Sequence, residues 1–393
     1  MDIKLSERVQ RIQPSPTLAL TGLVAKLKAE GRNIIALGAG EPDFDTPEHI
    51  KDAAIKALRD GHTKYTPVEG IASLKQAVVD KFKRENELNY KTEQVLVSCG
   101  GKQSIFNLVS AYINPGDEVI IPSPYWVSYP DIVTLHEGVP VFIEGSQDQR
   151  FKITPAQLAA AITPKTRLFF INSPSNPAGT AYTHAELRAL GDVLRKHPHV
   201  LIATDDMYEH IMWTDEAFAN ILMVCPDLYD RTMVLNGVSK AYSMTGWRIG
   251  YAAGPQNLIK AMSKVQSQST THAASIAQYA AVAALNGDQN CIKEMVVAFK
   301  RRHDLLHKGL NEISGIECIA GDGTFYLFPQ VKGLIQKLGL KNDMELASFL
   351  IEKAEVALVP GSSFGMDGYT RLSFATSDAN LVEALARIKK VIA

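Results

Sequence analysis

The chain has 393 residues, 46% of them hydrophobic and 21% charged, with a formal net charge of -1, the composition of a globular protein with room for two domains. That balance offers no basic surface to nucleic acid, and no run approaches the roughly 18 consecutive apolar residues of a membrane span. Cys99, Cys225, Cys291 and Cys318 are scattered without a CxxC pair and Met1-Asp2-Ile3-Lys4 carries no secretory pattern, so a cytoplasmic setting with neither disulfides nor a metal site is expected.

The first fifty residues hold Pro14, Pro16, Pro42 and Pro47 and little periodicity, which predicts an arm lying across the surface or onto a second subunit. Beyond them short β-like runs alternate with amphipathic segments. The runs are Val95-Leu96-Val97, Glu118 to Ile121, Val139 to Ile143, Leu168 to Ile171, Val200 to Thr204 and Met233-Val234-Leu235. Between them Gln103 to Ile113, Glu186 to His197 and Leu258 to Ser267 place apolar residues at three- and four-residue spacing, as helices do. This alternation predicts an α/β fold with a mostly parallel sheet flanked by helices. A long helical stretch from Ile276 to Glu312 follows, then strand-like Phe325 to Phe328 and Arg371 to Phe374, then a final helix from about Ala379. The last part reads as a smaller α+β domain. The expected division is an arm and part of the small domain over 1–47, a large domain over 48–285 and a small C-terminal domain over 286–393.

The chemistry gathers at predicted strand ends, where α/β folds place ligands. After Met233-Val234-Leu235 comes Ser239-Lys240-Ala241-Tyr242-Ser243-Met244-Thr245-Gly246-Trp247-Arg248, with one lysine eight residues before one arginine. A lysine that forms a Schiff base must lose its proton near neutral pH, and a cofactor phosphate needs a permanent cation. Lys240 and Arg248 suit those two tasks in a pyridoxal phosphate (PLP) site. Gly100-Gly101-Lys102-Gln103 turns from a strand into a helix and so aims N–H groups at an anion. Asn176, in a proline-stiffened loop, can hydrogen-bond a phenolic oxygen. Asp205, a carboxylate at a buried strand end, must be paired with a cation or become protonated, and a pyridinium N–H would be such a partner.

With Gly40-Glu41-Pro42-Asp43-Phe44-Asp45-Thr46-Pro47 and Ser123-Pro124-Tyr125-Trp126-Val127-Ser128-Tyr129-Pro130 added, the chain resembles, over essentially its whole length, the class I aminotransferases of PLP fold type I. Within them it is most similar to the bacterial aspartate aminotransferases. The resemblance implies that Lys240 is the Schiff-base lysine and the acid/base of proton transfer. It implies that Asp205 holds the pyridine nitrogen, that Asn176 and Tyr208 bond the ring's O3′, and that Trp126 stacks on the ring. Gly101, the backbone of Lys102, Ser239 and Arg248 would hold the phosphate, with Tyr65 reaching in from the second subunit of a homodimer. Arg371 would clamp the substrate α-carboxylate in a bidentate pair that lysine cannot reproduce, aided by Gly40 and Asn176.

Two departures from the family pattern, Asp206 for glutamate and Thr324 for alanine or glycine, leave those assignments untouched. For the substrate's distal carboxylate the resemblance points to Lys102 and Thr17, hence to aspartate with 2-oxoglutarate. Prephenate or aromatic 2-oxo acids form the alternative, with Arg8 or Arg11 in the arm as helpers. Small amino acids and 2-oxo acids are then the partners, with no nucleic acid and no membrane. A PLP-dependent lyase would share Lys240 and Arg248 but release a fragment. A transcription regulator would need a DNA-binding module before Gly40, for which there is no room. A nicotinamide dehydrogenase would need a Gly-x-Gly-x-x-Gly loop, and the first strand-helix unit lacks one.

Overall fold

The computed structural model describes residues 3–392; Met1, Asp2 and Ala393, and with them the start of the Met1-Asp2-Ile3-Lys4 stretch, lie outside it. Seven strands build the main sheet: β2 (Val95–Ser98), β3 (Glu118–Ser123), β4 (Val139–Glu144), β5 (Thr166–Asn172), β6 (Leu201–Asp205), β7 (Thr232–Gly237) and β8 (Gly250–Ala253), preceded in the chain by the short β1 (Ile35–Ala36). Their order is β2-β8-β7-β6-β5-β3-β4. The pairs among β3 to β7 are parallel, while β8 runs antiparallel to both β2 and β7. All the strands except β8 therefore end on one side of the sheet.

Side-chain alternation divides these strands cleanly between two cores. Val95, Val97, Phe169, Ile171, Ile202 and Val234 face one, and Leu96, Leu168, Phe170, Leu201, Ala203, Met233 and Leu235 face the other. Helices Ala72–Asn86 and His184–Arg195 cover the first through Leu74, Val78, Phe82, Leu187 and Leu190. Helices Gly101–Tyr112 and Gln256–Ser267 cover the second through Leu108, Val109, Leu258 and Met262. Burial on both faces is why these strands are continuous apolar runs in the sequence.

The C-terminal region adds β9 (Tyr326–Leu327), β10 (Val356–Ala357), β11 (Val359–Pro360) and β12 (Thr370–Ser373). β11, β12 and β9 form an antiparallel sheet, and β10 pairs with β1 in parallel, Ile35 opposite Val356. Ile35 and Leu37 thereby join a third core with Phe299, Leu306, Leu372 and Leu385, so the N-terminal segment completes a unit built from the other end of the chain. Among the described residues no helix is long and apolar enough to cross a membrane.

Two expectations change. The first fifty residues are more than an arm: Pro16–Ala29 is a helix of 14 residues. Pro16 takes its first turn, where the missing N–H costs nothing. Leu20, Val24 and Leu27 pack inward at four- and three-residue spacing while Leu18 and Leu23 face solvent, so apolar residues on both sides blur the stripe. The stretch Ile276 to Glu312 is two helices, Ser275–Asn286 and Asn290–Asn311. They part at Gly287, where a Cβ would lie 2.5 Å from the Ala283 carbonyl oxygen and 2.9 Å from the His49 ring.

Candidate active site

A cavity of about 400 Å³ opens where the strands end. Every site residue expected from the sequence lines it except Tyr65 and the arm arginines Arg8 and Arg11. Tyr65 is 92% exposed, its ring edge-on to His272, and it stays outside the cavity of its own chain.

At one end of the cavity β2 passes through Gly100, at φ +85°, into the helix opened by Gly101 and Lys102. The Gly101 and Lys102 N–H groups find no backbone acceptor among the described residues, as the first turn of a helix dictates. Arg248, in the left-handed region at φ +57°, donates from Nη1 to the Thr245 carbonyl at 2.7 Å. Its guanidinium lies against Gly100, where a Cβ would come within 2.3 Å of Nη2. The turn is glycine because the cation occupies the side-chain space. Ser239, buried beside Lys240, completes this end.

Asp205 closes β6 with 7% of its surface exposed. Its Oδ2 accepts from the Tyr129 hydroxyl at 2.5 Å and its Oδ1 from the Met207 N–H at 3.3 Å. It forms no salt bridge among the described residues, and burial raises its pKa, so a cationic N–H arriving here would be stabilised. The neighbouring Asp206 points away. It accepts from the Thr204 hydroxyl at 2.6 Å and from Asn220 Nδ2 at 2.7 Å, and burial pushes its pKa up to about 7. Trp126 lines the cavity beneath the Lys102 ammonium, 5.2 Å from the ring centre.

The Lys240 ammonium donates to the Gly40 carbonyl. Burial, then the positive charge of Arg371, brings its pKa from 10.5 down to about 8. The amine therefore becomes neutral, and nucleophilic, as pH rises through about 8. Trapping a small aldehyde on the protein with borohydride should modify Lys240 with a midpoint near pH 8 by mass spectrometry. A profile still climbing past pH 10 would contradict the burial argument.

Arg371 is 2% exposed. Nη1 donates to Asn176 Oδ1 at 2.9 Å and Nη2 to the Gly38 carbonyl at 2.8 Å. Its Nε–H is buried with no partner among the described residues, so of five guanidinium hydrogens three remain for a ligand. The guanidinium is sandwiched between Tyr326 at 4.4 Å and Phe364 at 4.9 Å, which fixes its plane. Tyr208, expected to face a phenolic oxygen, shares a hydrogen bond of 3.0 Å with the Tyr326 hydroxyl. Thr17, in the first turn of its helix, and Gly40 line the same space.

Sequence reasoning missed Tyr129, Tyr326 and Glu41. Tyr129 lies inside the Tyr125 to Pro130 motif, but its partner is set by strand order. Glu41 lines the cavity and accepts from the Thr245 hydroxyl at 2.9 Å. Thr324 sits at φ +65°, a region that favours glycine, and its hydroxyl accepts the Tyr326 N–H at 3.2 Å, so this departure supports a residue of the cavity wall.

A glycine turn filled by a guanidinium, a buried carboxylate without a cation, a lysine of lowered pKa and a buried Nε–H without an acceptor together fit PLP and an amino-acid carboxylate. The model for aminotransferases of class I and II matches residues 32–388. The aspartate/prephenate aminotransferase of Nitrosomonas europaea is 61% identical over 99% of this chain and 100% of its own length. That of Cereibacter sphaeroides is 53% identical over 98% of each. Among solved structures, the aspartate aminotransferase of Rhizobium meliloti has a TM-score of 0.95 at 48% identity, covering 100% of this chain and 99% of its own. That of Thermus thermophilus, solved with maleate, has a TM-score of 0.93 at 42% identity, covering 99% and 100%.

Proposed function

The chain belongs to the class I and II aminotransferase family, and from that premise we propose that it is a PLP-dependent aspartate aminotransferase. It moves the amino group of L-aspartate to 2-oxoglutarate, reversibly and by ping-pong kinetics, giving oxaloacetate and L-glutamate. The observation that carries the choice of a dicarboxylate is Lys102. It shares one cavity with Arg371 and has no salt-bridge partner among the described residues. Burial of its ammonium and the nearby Arg248 charge lower its pKa, and an arriving carboxylate relieves both. Maleate, found with the Thermus thermophilus relative, is also a dicarboxylate.

Arg248, Ser239 and the N–H groups of Gly101 and Lys102 hold the phosphate, Asp205 the ring nitrogen, Asn176 and Tyr208 the phenolic oxygen, and Trp126 the ring face. PLP, when bound, supplies an electron sink for the carbanion left as the substrate Cα–H bond breaks. Lys240 takes that proton on Nζ and later returns it. Arg371 grips the α-carboxylate with its free hydrogens, assisted by Gly40 and Asn176. Lys102 and Thr17 receive the distal carboxylate.

The exposure of Tyr65 supports a homodimer in which it serves the partner's phosphate site. The separate cores support an arm and part of the small domain over 1–47, a large domain over 48–285 and a small domain over 286–393. A cytoplasmic location goes with this reading.

The names of the relatives at 61% and 53% identity favour a second activity with prephenate. Arg11, expected to help, donates to Glu137 at 3.0 Å and does not line the cavity. The deciding experiment mixes PLP-loaded protein separately with aspartate, glutamate, phenylalanine and alanine and follows the cofactor's visible band through one turnover. Rapid saturable conversion by aspartate and glutamate is expected; conversion by phenylalanine at a comparable rate would move the assignment to aromatic substrates.

Lys102→Ala should lower kcat/KM for aspartate by about 10- to 100-fold, the worth of one charge-assisted hydrogen bond. The aromatic value should stay within about threefold. Equal losses for both substrates would remove Lys102 from the specificity site.

A further inference from the structure

Tyr208 and Tyr326 come from different parts of the fold. Tyr208 follows β6 of the seven-stranded sheet, whereas Tyr326 lies on β9 of the C-terminal sheet. Their hydroxyls are 3.0 Å apart and their rings meet edge-on at 5.8 Å. Tyr208 is 4% exposed and Tyr326 fully buried. Tyr326 is held by the Thr324 hydroxyl at its N–H and by the Arg371 guanidinium on its face, and Gly40 leaves room for its hydroxyl, since a Cβ there would lie 3.2 Å away. Burial raises the pKa of both phenols, so each keeps its hydrogen at neutral pH.

A phenol has one hydrogen to donate and lone pairs to accept. Two hydroxyls therefore hold two hydrogens, and only one can lie between them. If Tyr208 donates to Tyr326, it has nothing left for the cofactor. If it donates to the cofactor's phenolic oxygen, Tyr326 must supply the hydrogen of the Tyr326–Tyr208 bond.

Building on the cofactor placement proposed above, we propose that Tyr326 is a positioning residue. Its hydroxyl donates to Tyr208 Oη and so turns the single Tyr208 hydrogen toward the cofactor's phenolic oxygen. Tyr326 touches neither the cofactor nor the reacting atoms in this role; it acts through Tyr208. The same ring sets the plane of Arg371, so one side chain orients a donor at the cofactor and the clamp at the substrate.

The test is an absorbance titration of the PLP-loaded enzyme, carried out on the wild type, Tyr208→Phe, Tyr326→Phe and the double variant. A hydrogen bond donated to an ionised oxygen favours the deprotonated form, so its loss raises the titration midpoint. Tyr326→Phe keeps the ring under Arg371 and should raise the midpoint by about 0.3–1 unit, the worth of one weakened neutral hydrogen bond. Tyr208→Phe should raise it further, and the double variant should match Tyr208→Phe, because Tyr326 has no donor left to orient. The proposal is overturned if Tyr326→Phe leaves the midpoint unmoved while Tyr208→Phe shifts it. It is equally overturned if Tyr326→Phe adds its full shift on top of Tyr208→Phe. No shift in Tyr208→Phe would withdraw the placement of Tyr208 at the phenolic oxygen and the proposal with it. The lack of a titrating visible band in the wild type would withdraw the PLP reading itself.

Discussion

Lys240→Ala should lose transamination by at least about 10⁴-fold, because one substitution removes both the nucleophile and the proton carrier. The alanine variant should still bind PLP. The Gly100–Arg248 turn and Asp205 stand on other strand ends and make no hydrogen bond to Lys240. Borohydride reduction followed by mass spectrometry should find the cofactor mass on wild-type Lys240 and none on the variant. An added small primary amine should restore part of the turnover by replacing the missing proton carrier. Steady-state transamination by the unaided variant within about 100-fold of wild type would dismiss Lys240 from this role.

Arg371→Lys should cost about 2–4 kcal/mol of transition-state binding, roughly 30- to 10³-fold in kcat/KM, for every amino acid offered. The guanidinium already spends two hydrogens on Asn176 and Gly38. A single ammonium cannot span both of those and a bidentate carboxylate. The loss should be uniform across aspartate, glutamate and phenylalanine, because all present the same α-carboxylate. That uniformity separates this variant from Lys102→Ala, whose effect follows the distal group. A loss confined to aspartate would exchange the roles of the two cations. Since the substitution also removes stacking against Tyr326 and Phe364, the cofactor spectrum before substrate should be recorded as a check that the cavity is intact.

The main sheet was legible because strands buried on both faces carry central apolar runs, as β2, β3, β5, β6 and β7 do, while the edge strand β4, with Val139 and Phe142 about half exposed, showed through its β-branched residues. β8 was not legible. Gly250-Tyr251-Ala252-Ala253 has no β-branched residue and is small apart from Tyr251, and the need for glycine at its start is tertiary: a Cβ on Gly250 would lie 2.3 Å from the Gly101 nitrogen. Lys240, Asp205, Asn176 and Arg248 could be found because each follows a readable strand or a fixed offset from one. Tyr129 and Tyr326 could not, since their partners are decided by which strands become neighbours. Lys81 shows the same limit. It lies on helix Ala72–Asn86 among charged residues, yet it is fully buried and paired with Glu209, and nothing in its local spacing distinguishes it from a solvated lysine.

The antiparallel β8 also bears on how the chain reaches its native state. β2 joins the sheet only through β8, and Val95 faces Ala253, more than a hundred residues later in the chain. The two halves of the anion-binding end, Gly100–Gly101 and Arg248, therefore meet only after this distant pairing has closed. Long-range strand pairing is slow because loop entropy is lost before the contacts compensate. During refolding, helix formation and collapse should be complete while the phosphate site is still in two pieces, so cofactor capture reports one of the latest events in folding.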